Sequence, residues 1–316
     1  MILVSLRKKV GVIQPFFFLP MNISLRQLKY ESLQHLHNKV FLEKITSFNI
    51  FSAWKNSKKE NCMRVIKIIS FMLAILMLSG VIVSAEESCS WYIKKKGNSL
   101  PGFPIESVFV AAHNGYFVDS KSNTDGKKVL YLTFDAGYEN GNIEKILDTM
   151  KCEGITGAFF ILSNLIDKNP ELVCRMADEG HLVCNHTSNH KDLSKASEDE
   201  ILSNLKKLEE KYEACTGRSM DKFFRFPEGK YSKESLVTVE KAGYTTVFWS
   251  MAYDDWDNSR QQKCEIAMKK LLDTTHDGAI ILLHPTSKTN AQILPQLIKI
   301  WKSQGYSFGS LNELSC

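Results

Sequence analysis

From Lys128 onward the chain alternates between two kinds of segment, and this alternation constrains the fold more than any other feature. Apolar runs of strand length stand at "VLYLTF", "GAFFIL", "HLVCN", "FFRF", "TTVFWSM" and "AIILL", with "YSFGSL" near the end. Between them lie stretches of helical pattern. Pro170 opens "PELVCRMADEG" and Gly180 closes it, as proline favours a first helical turn and glycine the position past the last. Ser197 and Glu200 have the spacing of a capping box at the head of a helix that Gly217 ends. Further helices are expected across "NIEKILDTMK", "SKESLVTVEKAG" and "NAQILPQLIKIWKSQG". Strands that are apolar on both faces belong in a parallel sheet covered by helices. Six or seven βα units therefore predict an α/β fold, with closure into a barrel as the arrangement that fits best.

In a βα barrel the strand ends converge on one face, where active sites are built. The polar residues that interrupt the pattern fall at such ends. Asp135 follows "YLTF", His186 follows "LVCN", Arg225 lies in "FFRFPEG", Asp255 follows "WSMAYD" and His284 follows "AIILL". Each has an ordinary explanation. Asp135 could begin a turn, since Asx residues commonly do. Arg225 could be a surface ion-pair partner, His284 a satisfied core histidine, and Asp254-Asp255-Trp256 a solvated loop. His186 and His190 are four apart, so in a helical turn both imidazoles would face one way and could share a divalent ion. Five such residues at five successive strand ends point instead to one constructed site.

At 44% hydrophobic and 24% charged, the composition excludes disordered and fibrous classes. The net charge of +5 is unevenly spread. Residues 1–67 hold twelve Lys/Arg against three Asp/Glu, and the remainder holds 28 against 32. A mildly acidic body carries no footprint for nucleic acid. The boundary is "MRVIKIISFMLAILMLSGVIVSAEES", in which Arg64 and Lys67 precede an uncharged stretch from Ile68 to Val83. Val83-Ser84-Ala85 then supplies the small residues that a signal peptidase reads. Residues 63–85 are expected to be a signal peptide cleaved after Ala85, with residues 1–62 an over-extended reading frame. If 1–62 are made, they are a cytoplasmic extension and 63–85 a signal anchor. Either way the body of the protein is expected outside the cytoplasmic membrane, with 86–127 as a lead-in and 128–316 as a single catalytic domain.

Eight cysteines are present, one of them, Cys62, before the apolar segment. The remaining seven, an odd number, cannot all pair within one chain. No CxxC occurs, and Cys174 and Cys184 sit in apolar surroundings that suit buried thiols.

"TFDAG", "HTSNH", "RFPEG", "DW" at Asp255-Trp256 and "LLH" ending at His284 together resemble the five motifs of the polysaccharide deacetylases, the NodB-homology or family 4 carbohydrate esterases. "SWYIKKKGNSLPG", "YLTFDAGYENG", "VFWSMAYDDW" and "ILLHPTSKTNAQIL" resemble, more closely, the δ-lactam-biosynthetic muramic-acid deacetylases of endospore-formers, the PdaA type. The resemblance runs from about Trp91 to the C-terminus. It implies a deformed (β/α) barrel that hydrolyses N-acetyl groups of sugars with metal assistance. Asp135 would be the base that activates water, and His284 the acid that protonates the leaving amine. Arg225 would pair with Asp135, Asp255 would orient His284, and His186 and His190 would hold the metal. Trp256, Pro227 and Tyr138 would contact the sugar. The family's second aspartate, usually a metal ligand, is Ala136 here, a departure that the PdaA type shares. Two imidazoles make a weaker site, for which zinc is the first candidate by ligand type. The implied substrate is N-acetylmuramic acid in peptidoglycan glycan strands, on the way to muramic-δ-lactam in spore cortex, with a monomeric enzyme. The alternatives are a deacetylase of N-acetylglucosamine or chitooligosaccharide, and a non-catalytic glycan-binding relative.

Overall fold

The computed structural model describes residues 67–72 and 88–314. Apart from a helical stretch at 67–72, the apolar segment 63–85 and its cleavage point lie outside the described residues, as do residues 1–62, Cys62 and Cys316. Among the described residues no helix is long and apolar enough to cross a membrane. The chain divides into two units, residues 1–83 and 84–316.

The strands of the second unit are β1 (Cys89–Ser90), β2 (Lys94–Lys96), β3 (Ser99–Gly102), β4 (Gly115–Tyr116), β5 (Val129–Ala136), β6 (Ala158–Ile161), β7 (Leu182–Asn185), β8 (Asp221–Phe224), β9 (Lys230–Tyr231), β10 (Thr245–Val247), β11 (Ala279–Leu283) and β12 (Ser307–Phe308). Its helices are α1 (Ser107–Ala112), α2 (Ser120–Asp125), α3 (Ile143–Glu153), α4 (Ser163–Lys168), α5 (Pro170–Asp178), α6 (Glu198–Thr216), α7 (Lys233–Lys241), α8 (Cys264–Leu272) and α9 (Lys288–Ser303). Eight strands form one parallel sheet in the order β11-β5-β6-β7-β8-β10-β4, with β12 against the start of β5. Val118, past β4, bridges Ala279, and Met251, past β10, bridges Ile281. The free side of β11 thus meets the far end of the sheet through single bridges rather than a full ladder. The sheet curls into a deformed barrel, as the alternation predicted.

Alternation along β5 sets which side chains enter the barrel. Leu130, Leu132, Phe134 and Ala136 join α3 and α9 in the large outer core, beside Ile146, Leu147, Leu294 and Leu297. Tyr131 faces the other way, into an inner cluster with Phe160, Cys184, Val247 and Ile280. By the same period Thr133 and Asp135 point inward. The register pairs Phe134 of β5 with Leu283 of β11, so the next residues outward, Asp135 and His284, emerge on neighbouring strands.

Several local expectations shift. Ser197 accepts a hydrogen bond from the Glu200 N–H, but the Glu200 carboxylate pairs with Lys191, so only half of the capping box forms. β8 ends at Phe224, which leaves Arg225 beyond the strand expected at "FFRF". β10 covers only the first three residues of "TTVFWSM". α8 and the short α1, α2 and α4 were not foreseen from the sequence pattern.

Candidate active site

Asp135 stands at the mouth of the barrel, one-tenth exposed and tied to Arg225. The Arg225 guanidinium is fully buried, and each of its nitrogens has a partner. Nη1 donates to Asp135 Oδ1 at 2.8 Å, Nη2 to Thr133 Oγ1 at 2.8 Å, and Nε to the Val247 carbonyl at 2.9 Å. Its plane lies over the Phe160 ring, 4.2 Å from the centroid. A wholly desolvated cation needs such a complete set of acceptors, and removing one side of a buried pair costs about 3–5 kcal/mol. Burial alone would raise the Asp135 pKa, but His186, Arg225 and His284 outweigh it and hold the carboxyl below its usual range. Asp135 is therefore ionised at neutral pH.

His186 is buried beside it. Its Nδ1 lies 2.8 Å from the Arg225 carbonyl, an atom that can only accept, so Nδ1 carries the proton. Burial depresses the His186 pKa to about 4, with His190 adding to the effect and Asp135 opposing it. The ring is neutral, and Nε2 presents a lone pair to Asp135 Oδ2 at 3.5 Å. The His190 ring is 5.1 Å from that of His186, centroid to centroid. The loop that carries them is not the helical turn expected from the spacing. Thr187 and His190 both adopt positive φ, 71° and 58°, and this brings the rings together. His186 and His190 are donors of the type a divalent cation takes, and His186 is oriented by its second nitrogen as metal-bound imidazoles usually are. Ala136 adds no donor, because its methyl is fully buried in the outer core. Among the described residues no cluster of three or more His, Cys, Asp or Glu forms a complete metal-ligand set.

On the neighbouring strand end, His284 donates through Nδ1 to Asp255 Oδ1 at 2.8 Å, and its backbone N–H donates to Oδ2, also at 2.8 Å. Asn290 donates to the same Oδ2 at 2.6 Å and to the His284 carbonyl at 3.0 Å. Burial would lower the His284 pKa, but the Asp255 charge and hydrogen bond, with Asp135 beyond, raise it above the usual imidazole value. Fixing Nδ1 on Asp255 leaves Nε2 to face the cleft. Asp255 itself is buried and lines no part of the cleft, so it positions His284 and touches no substrate.

These groups open into a cleft of about 800 Å³ that Asp135, His186, His190 and His284 line together. Tyr138 and Trp256 stand on its rim, 47% and 61% exposed, as sugar-contacting aromatics would. Pro227 is the exception. It is buried and absent from the lining, because the chain turns there with Glu228 and Gly229 at positive φ and presents those two residues instead. Leu162, Trp249, Tyr253 and Leu282 also line the cleft; Trp249, Tyr253 and Leu282 fall inside the quoted motifs without an assigned role, and Leu162 lies outside them. The loop after β5 is moored across the mouth. Asn140 and Asn142 each donate to the Thr286 carbonyl, at 2.8 and 3.0 Å, and Glu139 accepts from the Ile143 N–H at the head of α3. The loop passes close to Leu162 at Gly137, where a Cβ would stand 2.9 Å from Leu162 Cδ1 and would push that methyl aside.

A family model described as polysaccharide deacetylase matches residues 122–247. The peptidoglycan-N-acetylmuramic acid deacetylase PdaA of Bacillus subtilis is 35% identical over 252 residues, which cover 78% of this chain and 94% of that protein. The solved structure of B. subtilis PdaA, a family 4 carbohydrate esterase, superposes with a TM-score of 0.69 over 72% of this chain and 97% of the other. The peptidoglycan-N-acetylglucosamine deacetylase PgdA of Listeria monocytogenes is 34% identical over 187 residues, 59% of this chain and 39% of that protein.

Proposed function

Because the chain belongs to the polysaccharide deacetylase family, we propose that it removes the N-acetyl group from N-acetylmuramic acid in peptidoglycan. The observation that carries this reading is the pairing of an ionised carboxylate with a raised-pKa imidazole at adjacent strand ends in one cleft. Amide hydrolysis needs such a base and such an acid. The reach of the similarity across 94% of the B. subtilis muramic acid deacetylase supports the choice of sugar.

In this reading Asp135 Oδ2 takes the proton of the attacking water, while Arg225 holds Oδ1 and keeps the carboxylate ionised. His284 Nε2 delivers a proton to the departing amine, and Asp255 takes the other side of the ring. His186 and His190 would hold a divalent ion, zinc by donor type, whose positive charge would polarise the amide carbonyl and the water. Leu162, Trp249 and Leu282 give the cleft an apolar wall, and Tyr138 and Trp256 offer aromatic faces to the sugar. The freed amine lies near the lactyl carboxylate of the same sugar, so ring closure to muramic-δ-lactam, as in spore cortex, becomes intramolecular once no peptide blocks it. Residues 63–85 act here as signal peptide or anchor, which sets residues 86–316 outside the cytoplasmic membrane with glycan strands as partner.

A second reading, deacetylation of N-acetylglucosamine, is favoured by the similarity to the Listeria enzyme and uses the same residues. Acetate release separates the two. The purified chain should release acetate from peptidoglycan trimmed by an amidase, and little from untrimmed wall or chitin oligomers. Preference for chitin oligomers would move the substrate to N-acetylglucosamine, and no release from any of them would leave a glycan-binding protein.

A further inference from the structure

Away from the cleft, two sulfurs meet. Cys174 lies in the middle of α5 and Cys215 in the last turn of α6, helices that pack against each other. Their Sγ atoms are 4.0 Å apart, and both side chains are half-buried. Neither thiol has a strong competing partner, since each sulfur otherwise approaches only a backbone carbonyl, at 3.7 and 3.8 Å. A disulfide needs the sulfurs about 2 Å closer, a change within reach of small side-chain rotations between two packed helices.

We propose that Cys174 and Cys215 form a disulfide in the exported protein, a covalent staple between α5 and α6. The proposal rests on the extracytoplasmic location proposed for residues 86–316, because thiols outside the cytoplasm meet oxidants that the cytosol lacks. The balanced step is exchange with the disulfide of a thiol oxidoreductase or a small-molecule disulfide. One cysteine, as thiolate, attacks the oxidant's S–S bond and forms a mixed disulfide. The other displaces it as a thiolate, so that the two protein thiols lose two protons and two electrons and the oxidant leaves as two thiols. Burial and the neighbouring Cys174 raise the Cys215 pKa, which makes this pair slow to oxidise without such a catalyst.

The staple has a functional position. The segment between the two cysteines contains β7 and both histidines of "HTSNH". Closing that segment into a covalent ring removes open conformations from the unfolded chain and holds the loop of His186 and His190 between two tied helices.

The full chain recovered from the medium or cell surface, alkylated before any reduction and mapped by mass spectrometry, should yield a linked peptide joining Cys174 and Cys215. Reductant should lower the melting temperature by roughly 5–10 °C, and this shift should vanish in Cys174→Ser but persist in Cys152→Ser, whose cysteine is exposed and lies outside the pair. Alkylation of both Cys174 and Cys215 in exported material, or a full reductant shift in Cys174→Ser, overturns the proposal. If the chain is instead found in the cytoplasm, with the linked peptide forming only after oxidised glutathione is added, the location fails while the geometry of the pair stands.

Discussion

The ends of β5 and β11 are neighbours in register, yet they treat their polar residues in opposite ways. At the end of β5, the buried Arg225 guanidinium holds Asp135 in its charged form. At the end of β11, a buried carboxylate raises the His284 pKa and so favours its charged form. Both residues are mostly desolvated, and burial alone would neutralise both. What separates them is the charge behind each: Arg225 is tied to acceptors from β5 and from the end of β10, and Asp255 is tied to Asn290 and the His284 backbone. Two groups poised with opposite charge over one cleft can take and give a proton in the same reaction.

The strongest way to break this contrast is to remove the charge on the β5 side. Asp135→Asn keeps the size of the side chain and leaves Arg225 its bonds to Thr133 and Val247. Acetate release should fall by about 10²–10⁴-fold, the usual weight of base catalysis, while circular dichroism shows an intact fold. Near-normal turnover in a folded Asp135→Asn would reduce Asp135 to a turn residue. The next largest effect concerns the divalent cation that His186 and His190 would hold. Dialysis against a chelator should cost about 100-fold in turnover or more, zinc should restore it, and His190→Ala should not be restored. Full activity in rigorously metal-free enzyme would end the metal-assisted reading.

A smaller change sharpens the β11 side. Asp255→Asn removes the charge that raises His284, so the alkaline limb of the rate profile should move to lower pH. An unmoved limb would show that Asp255 has only a packing role. The smallest effect guards the others against a loss of fold. His181, just before β7 and far along the chain from the β11 end, is buried, and that burial lowers its pKa to about 4 despite Glu179. The unfolded chain takes up a proton there near pH 6.5 that the folded chain refuses until about pH 4. Stability from this group is therefore complete above pH 6.5 and lost as pH falls towards 4, by up to about 1.4 kcal/mol per pH unit. His181→Gln should flatten urea-unfolding stability over that range and leave the pH profile of turnover unchanged. An unaltered stability profile in this variant would assign the acid loss elsewhere.

The sequence made some of this legible for a physical reason. "VLYLTF" and "AIILL" read as strands because both faces are buried, and the residues following them stood out as polar breaks in apolar runs. "FFRF" misled by two residues, since the strand runs over Asp221–Phe224 and Arg225 lies buried beyond its end, where a charge is the last residue that pattern would place. The spacing of His186 and His190 implied a helical turn, but two positive-φ residues made a loop that no period describes. Thr133, Asn290, Thr286, Asn140 and Asn142 were not foreseen. Their partners, apart from local ones, lie far along the chain, such as Asn140 with Thr286, and no local pattern shows such a contact. Pro227 was assigned to the sugar by its motif, whereas it is buried and the turn it begins lines the cleft with Glu228 and Gly229 instead.

The division of labour between the two strand ends is tested most directly by the pH dependence of kcat/KM for acetate release, measured for the native chain and for His284→Ala. The native chain should give a bell, with an acid limb set by a carboxylate below its ordinary range and an alkaline limb above the ordinary imidazole value. His284→Ala should keep the acid limb and lose the alkaline one. The same alkaline limb in both proteins would contradict the assignment of His284 as the acid, and with it the pairing of base and acid across β5 and β11.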